Sequence, residues 1–240
     1  MSADKFQPAP REDAALQRLL GLLASRPQQR VLVGLAGLPG SGKTTIAQAW
    51  VDAVNTHLGA GVAQVLGMDG FHLSRATLAQ AADPAAALAR RGAPWTFDPV
   101  GLQARLALLR AGFDRHTVFW PGFEHGVGDP VEDALAVPPQ VRLVLVEGLY
   151  LLHRGDGWAV QPLLDACWFW DVPMQTAMAR LALRHQRAWG ISAQQAEARI
   201  ARNDSLNAAI VLASRAWADW LVCARRRSSP EQVSTATDPA

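Results

Sequence analysis

A chain of 240 residues, of which 50% are hydrophobic and 18% are charged, can bury the core of one α/β domain or of one domain with a lid. Its 23 basic and 21 acidic residues give a formal net charge of +2, an excess too small to indicate a nucleic-acid-binding surface. No apolar run approaches the roughly 18 residues that a membrane-spanning helix needs, and the N-terminal MSADKFQPAP lacks the apolar stretch of a signal peptide.

The two cysteines are typical of a reducing compartment. Cys167 and Cys223 lie in apolar, strand-like runs and lack the spacing of metal ligands. We therefore predict that both are reduced core residues of a cytoplasmic protein that has neither a membrane nor a nucleic-acid partner.

Strands and helices alternate in the first half of the chain. Leucines at helical spacing predict a helix over residues 11–24, within an N-terminal segment that ends at residue 27. Apolar runs at 31–36 and 62–68 predict two buried parallel strands, separated by an amphipathic helix that ends at Gly59. Asp83–Pro84 and Asp98–Pro99 each combine an N-cap acid with a proline at the first helical position, and so predict two further helix starts.

The alternation continues in the second half. Strands are predicted at 117–120, 142–148, 167–172 and 217–224, with a loop at 121–140 because that stretch is rich in proline and glycine. Residues 173–215 are predicted to be helical with a break near Gly190, where Ser192 and Gln195 can form a capping box. The pattern predicts a parallel sheet of about five strands with helices on both faces, within a domain at 28–225. Residues 173–215 are the candidate lid, and 226–240 a disordered tail.

A glycine-rich motif follows the first predicted strand and opens a helix. The residues from Gly37 to Thr44 match G-x-x-x-x-G-K-[ST] at every position. In this context the helix N–H groups surround the phosphates of a nucleotide, a lysine contacts the β- and γ-phosphate oxygens, and a threonine hydroxyl binds Mg²⁺. The motif therefore predicts ATP and Mg²⁺ as ligands, bound by Gly37, Gly40, Ser41, Gly42, Lys43, Thr44 and Thr45.

Two carboxylates and a row of arginines are candidates for the chemistry. Asp69 follows the second strand, where it could accept the proton of an attacking hydroxyl, although Asp-Gly is also a common turn. Glu147 ends a later strand, where a carboxylate could hold Mg²⁺ directly or through water. Arg180 and Arg184 share one face of a predicted helix, and could either stabilise a transferring phosphoryl group or remain solvated.

Six motifs in this order, GLPGSGKT, MDGFHLS, RRGAPWTFD, PGFEH, LVEGLYLL and RLALRHQRAWG, resemble the superfamily of uridine kinase, pantothenate kinase and phosphoribulokinase over roughly residues 28–225. The closer likeness is to its nucleoside/nucleotide kinase-like branch. The resemblance implies a three-layer P-loop NTPase fold with a helical lid, and, since relatives are often dimers, a possible homodimer. It also implies a catalytic carboxylate at Asp69, a metal-associated acid at Glu147 and lid arginines at Arg180 and Arg184.

The same motifs supply the candidate substrate residues. Related sequences more often carry aspartate at the position of Glu124, so the wall that the PGFEH motif would form could be reshaped here. His72 could contact substrate or simply be packed, and Trp95, in a predicted loop, could line the pocket. The full candidate set is His72, Arg91, Trp95, Phe123, His125, Tyr150, Asn203 and Asn207.

Other nucleotide-binding classes fit the sequence less well. A GTPase switch would need an N-K-x-D motif, which a chain with lysines only at 5 and 43 does not contain. A motor or transporter subunit would normally show a strand ending in Asp-Glu, whereas the strand here ends in Glu-Gly. A regulatory nucleotide-binding protein without turnover stays open. The sequence favours an ATP-dependent kinase acting on a hydroxyl of a small metabolite such as a nucleoside, a pantothenate-like molecule or a sugar.

Overall fold

A computed structural model of the chain describes residues 10–124 and 127–223. Its strands are β1 (Val31–Gly37), β2 (Ala63–Gly67), β3 (Val118–Glu124), β4 (Asp129–Val137), β5 (Leu143–Gly148), β6 (Ala166–Asp171) and β7 (Trp220–Cys223). Its helices are α1 (Pro10–Ser25), α2 (Lys43–Leu58), α3 (Arg75–Leu78), α4 (Pro84–Ala89), α5 (Pro99–Ala111), α6 (Met174–Trp189), α7 (Ala193–Arg199) and α8 (Ser205–Ser214). The tail predicted at 226–240 lies outside the described residues.

Five strands form one parallel sheet in the order β2-β5-β1-β6-β7, as the sequence predicts. Every residue of β1 and β5 is buried. Side chains of β1 alternate between two core clusters: Leu32 contributes to one, while Val31 and Val33 contribute to the other. The sheet is therefore covered on both faces, which explains the continuous apolar runs at these strands.

The register of the central strands brings the functional segments to one edge of the sheet. Gly67 at the end of β2 is paired with Glu147 of β5, and Glu147 is paired in turn with Leu35 of β1. Parallel strands end at the same edge, so the turn after β1, the turn after β2 and the end of β5 meet there.

The helical region after β6 follows the predicted pattern. Helix α6 ends at Gly190, which has the left-handed conformation with φ 63°, and Ser192 and Gln195 form the expected capping box at the start of α7. A short π-helical segment, Ile200–Asp204, joins α7 to α8.

The prediction of a loop over 121–140 is wrong, because most of this stretch is an antiparallel hairpin of β3 and β4. The strand register shifts between Trp120 and Gly122, so Pro121, which has no N–H, lies at a bulge. Pro130 lies near the start of β4, where the hairpin is only two strands wide. Proline and glycine are tolerated at bulges and on edge strands, so their abundance here did not exclude a ribbon.

The two cysteines differ in their surroundings. Cys167 is buried in β6, as predicted, whereas Cys223 is exposed and corrects the prediction of a second core cysteine. Cys223 ends the edge strand β7, in which only Val222 is buried. Within the described ranges, no helix is both long enough and apolar enough to cross a membrane.

Candidate active site

The turn between β1 and α2 leaves several backbone N–H groups open. Gly40 and Gly42 have φ values of 74° and 85°, in the left-handed region that glycine favours. Helix α2 has no side-chain cap, and the first of its amides with a backbone acceptor in the described chain is that of Ile46, which donates to Gly42 O at 3.1 Å. The buried Ser41 hydroxyl also lacks a hydrogen-bond partner among the described residues. This cradle suits an anion at a helix N-terminus.

Three side chains meet beside this cradle. Thr44 Oγ1 donates to Glu147 Oε1 at 2.9 Å, and Lys43 Nζ lies 3.8 Å from Glu147 Oε2. Burial raises the pKa of Glu147, while the charge of Lys43 and the Thr44 hydrogen bond oppose that rise. The glutamate at the end of β5 is thus held against two polar side chains of the glycine-rich motif, Lys43 and Thr44.

The Thr44 and Glu147 oxygens are the donor type that Mg²⁺ prefers. In the described parts of the chain, no group of three or more His, Cys, Asp or Glu side chains is arranged to hold a metal ion. A site with a single carboxylate, Glu147, is compatible with Mg²⁺, because this ion usually binds one or two carboxylates and completes its coordination shell with water and substrate phosphates.

Asp69 lies in a 3-10 turn, Met68–Phe71, directly after β2. Its carbonyl accepts a hydrogen bond from the His72 amide at 3.1 Å and lies 2.8 Å from His72 Nδ1. No group of the described chain donates a hydrogen bond to the Asp69 carboxylate. The negative charge of Asp69 contributes to the raised pKa of Glu147, after the larger effect of burial. The charge of Asp69 thus reaches Glu147, which ends the neighbouring strand β5.

Helix α6 packs directly on the glycine-rich turn. Arg180 Nη1 donates to Ser41 O at 3.3 Å, and Trp170 Nε1 donates to the same oxygen at 3.1 Å. A Cβ on Gly40 would collide with the Ala177 carbonyl of α6. Arg184, one turn beyond Arg180, is exposed, and its charge is among the smaller influences that lower the pKa of Glu147. Both predicted lid arginines are therefore close to the predicted phosphate site.

Aromatic side chains form a wall next to Asp69. The His72 ring lies 4.0 Å from the Phe97 ring and 4.7 Å from the Phe123 ring, measured between centroids. Trp95, in the turn just before Phe97, is 48% exposed, unlike a core tryptophan. His125 lies outside the described residues, as does the side chain of Glu124. The structure brings His72, Phe123 and the Trp95 turn together, while their contact with substrate stays a prediction.

Three other predicted substrate residues make hydrogen bonds to the protein. Asn203 Nδ2 donates to Arg91 O at 2.9 Å, Asn207 Nδ2 donates to Asn203 Oδ1 at 3.4 Å, and Tyr150 Oη donates to Gly92 O at 2.6 Å. All three side chains belong to buried residues. They hold the 90–93 loop in place, so the structure supports a positioning role for them rather than direct contact with substrate.

Arg91 is also engaged within the protein. Its Nη2 lies 2.6 Å from Asp129 Oδ1 and 3.0 Å from Leu73 O, and its Nη1 donates to Gly128 O. Burial works to raise the pKa of Asp129, but the hydrogen bonds from the Arg75 amide and the Arg91 side chain outweigh it and hold the pKa below its ordinary value. Arg91 thus fastens the tip of the β3–β4 hairpin.

Sequence reasoning missed one pair of contacting side chains that involves α6, a part of the predicted lid. His185 Nε2 lies 3.0 Å from Asp204 Oδ2, and the His185 ring stacks on Trp189 with centroids 4.4 Å apart. This pair connects α6 to the π-helical segment that carries Asn203. Its members are 19 residues apart with a turn between them, so no periodicity in the sequence could have linked them.

No family model matches the chain, but individual relatives do. It is 37% identical over 206 residues to a Schizosaccharomyces pombe protein provisionally named a uridine kinase, covering 83% of this chain and 84% of that one. It is 41% identical over 152 residues to the ATP-dependent kinase-like protein notR' of Aspergillus versicolor, covering 62% of this chain and 88% of that one.

A solved structure is similar to this chain in both sequence and fold. It comes from Silicibacter sp. TM1040 and is provisionally described as a fructose transport system kinase. It superposes with a TM-score of 0.78 at 34% identity and covers 88% of this chain and 98% of its own. Given this agreement in sequence and fold, and a phosphate-binding turn between β1 and α2, the chain belongs to the P-loop kinases related to uridine kinase.

Proposed function

We propose that this protein is a kinase that transfers the γ-phosphoryl group of ATP to a hydroxyl of a small metabolite. The observation that supports this most strongly is the meeting of three elements at one edge of the sheet. Asp69 follows β2, Glu147 ends the neighbouring β5, and Glu147 contacts both Lys43 and Thr44 of the glycine-rich turn. A carboxylate is thereby available next to a site built for a triphosphate.

In this proposal the protein binds the nucleotide through the α2 N-terminus. The open amides of the turn hold the phosphates, and Lys43 neutralises charge on the β- and γ-phosphate oxygens. Thr44 and Glu147 would hold Mg²⁺, which when bound stabilises the charge that develops during transfer. Glu147 must be ionised for this role, so its burial makes nucleotide binding weaker at acidic pH.

Asp69 orients the acceptor hydroxyl and takes its proton as the phosphoryl group moves. Its carboxylate accepts no hydrogen bond from the described chain, which leaves it open to a substrate. Arg180 and Arg184 of α6 supply positive charge on the opposite side of the transferring group. Because α6 packs on the turn, it also helps to exclude water, which otherwise competes as the acceptor.

The acceptor lies against the wall formed by His72, Phe123 and the Trp95 turn. Tyr150, Asn203 and the 90–93 loop that they hold support that wall from behind. Aromatic rings and nearby polar groups suit a nucleoside, a pantothenate-like molecule or a sugar.

The test is acceptor-dependent release of ADP. Purified protein with ATP and Mg²⁺ is assayed against a panel of nucleosides, vitamins and sugars, with water as the baseline acceptor and ³¹P NMR to detect the new phosphoester. We expect at least one acceptor to raise ADP release well above the baseline, and Lys43→Ala to abolish the increase. Tight ATP binding with no acceptor effect would instead identify a nucleotide-binding protein without turnover.

A further inference from the structure

Arg90 and Arg91, at the start of the 90–93 loop, differ in whether the protein supplies a counterion for the guanidinium group. Arg91 forms an ion pair with Asp129 and donates to two backbone carbonyls, so the protein itself uses its charge. Arg90 has no carboxylate within ion-pair distance anywhere in residues 10–124 and 127–223. Its one side-chain hydrogen bond within these ranges runs from Nη2 to Asn207 Oδ1, at 3.2 Å.

The Arg90 guanidinium is therefore positioned but not neutralised. Its Nε is buried and has no acceptor among the described residues, and the residue as a whole is only partly exposed. Removing a charged group from water without a counterion is unfavourable, so a partly buried, unpaired guanidinium is a natural site for an anion. Arginine is also the side chain best shaped to bind carboxylate or phosphate with two parallel hydrogen bonds.

Hydrogen bonds fix both the backbone of Arg90 and the side chain that Arg90 contacts. Arg90 is the C-cap residue of α4, and its amide donates to Ala86 O at 2.9 Å. Its partner Asn207 is 2% exposed and is bonded to Asn203. Asp204, the nearby acid on the π-helical segment, is already paired with His185 at 3.0 Å. The side chain is thus held from behind, and the terminal guanidinium N–H groups that do not contact Asn207 are left for a ligand.

Arg90 and the proposed base, Asp69, both influence Tyr150. Burial raises the pKa of Tyr150, the charge of Arg90 lowers it, and the charges of Asp204 and Asp69 raise it further. Arg90 and Asp69 therefore act on one and the same hydroxyl group, which in turn donates to Gly92 O of the 90–93 loop.

We infer that Arg90 binds a negatively charged group of the acceptor, so that the acceptor carries a carboxylate or a phosphate in addition to the hydroxyl that is phosphorylated. This inference rests on the proposed function. It narrows the acceptor class to hydroxy acids and phosphorylated alcohols, and it assigns substrate binding to Arg90, while Arg91 holds the hairpin.

The test compares acceptors that differ only in the anionic group. ADP release is measured with glycerate against glycerol, gluconate against glucose, pantothenate against pantothenol, and ribose 5-phosphate against ribose. We expect the active acceptor to be an acidic member of a pair, with its neutral counterpart near the water baseline. The carboxylates and the phosphate in the panel separate the two anion types.

Three variants assign the effect to Arg90, and a fourth is the control. Arg90→Gln should raise KM for the acidic acceptor at least about tenfold, the loss expected for one charge-assisted hydrogen bond, while KM for ATP stays unchanged. Arg90→Lys should keep part of the affinity. Asn207→Asp, which offers Arg90 an internal counterion without changing side-chain size, should also raise KM for the acid. Arg115→Gln removes an exposed arginine in the turn after α5, at the other end of the sheet, and should change nothing.

Each outcome has a defined meaning. If a neutral acceptor is preferred, or if Arg90→Gln keeps the wild-type KM for the acid, the inference about Arg90 is wrong while the proposed kinase function stands. If no acceptor in this panel or in the panel of nucleosides, vitamins and sugars raises ADP release, both fail. Urea denaturation of Arg90→Gln is the control for folding. If its unfolding midpoint equals that of the wild type, a raised KM reflects weaker binding rather than a folding defect.

Discussion

The contact between α6 and the glycine-rich turn can be tested with two glycines. Gly40 and Gly42 both have positive φ, so alanine at either position costs roughly 1–2 kcal/mol of backbone strain. Their surroundings differ, because a Cβ on Gly40 would collide with Ala177 O and lie 2.9 Å from Leu181 Cβ, whereas a Cβ on Gly42 would have no neighbour within 4 Å. Overpacking at a closed contact costs typically about 1–3 kcal/mol more.

Gly40→Ala should therefore lower the free energy of unfolding by roughly 1–3 kcal/mol more than Gly42→Ala does. The measurement is urea denaturation of the nucleotide-free variants, followed by tryptophan fluorescence. Gly42→Ala serves as the matched control, since it carries the same backbone strain without the contact. Equal destabilisation by the two substitutions would refute the packing of α6 on the turn, and with it the position given to Arg180.

Further predictions concern Glu147 and the hairpin. Burial raises the pKa of Glu147 above its value in the unfolded chain, so the contribution of Glu147 to stability falls as pH rises through the folded-state pKa. Glu147→Gln should therefore raise the Tm of the nucleotide-free protein at pH 7, with a smaller gain at pH 4.5. A lower Tm at pH 7 would contradict this prediction. Arg91→Gln should lower the free energy of unfolding by about 2 kcal/mol, since it removes a charge-assisted contact with Asp129 and two carbonyl bonds. Arg105→Gln removes contacts with the largely exposed Glu132 and Asp133 and one exposed bond to Phe119 O, so it should cost only about 1 kcal/mol or less. Equal costs for the two variants would argue against the anchoring role of Arg91.

The sequence was most informative where function depends on consecutive residues. The run from β1 through Gly37–Thr44 into α2 was predicted as strand, phosphate-binding turn and helix, because the apolar run, the glycines and the helical period are all local signals. Asp69 and Glu147 could be expected to meet, because parallel strands end at one edge of the sheet.

Features that depend on contacts between residues far apart in the chain could not be predicted from local sequence signals. The sequence predicts a loop where the β3–β4 hairpin lies, because cross-strand pairing leaves no local signal when prolines lie at a bulge and on an outer strand. Arg90 and Arg91 are adjacent and identical, so the sequence cannot assign them different roles. Only the position of the hairpin tip shows that Asp129 pairs with Arg91 and leaves Arg90 without a carboxylate.

The most direct measurement is the turnover of Asp69→Asn with the identified acceptor. Asp52→Asn, which changes an exposed aspartate on α2, is the matched control. If Asp69 takes the acceptor proton, Asp69→Asn should lower kcat by about 10²–10⁴-fold while the Kd of a fluorescent ATP analogue stays near that of wild type, and Asp52→Asn should match wild type in both. Wild-type kcat in Asp69→Asn would remove this carboxylate from the reaction and contradict the proposed chemistry.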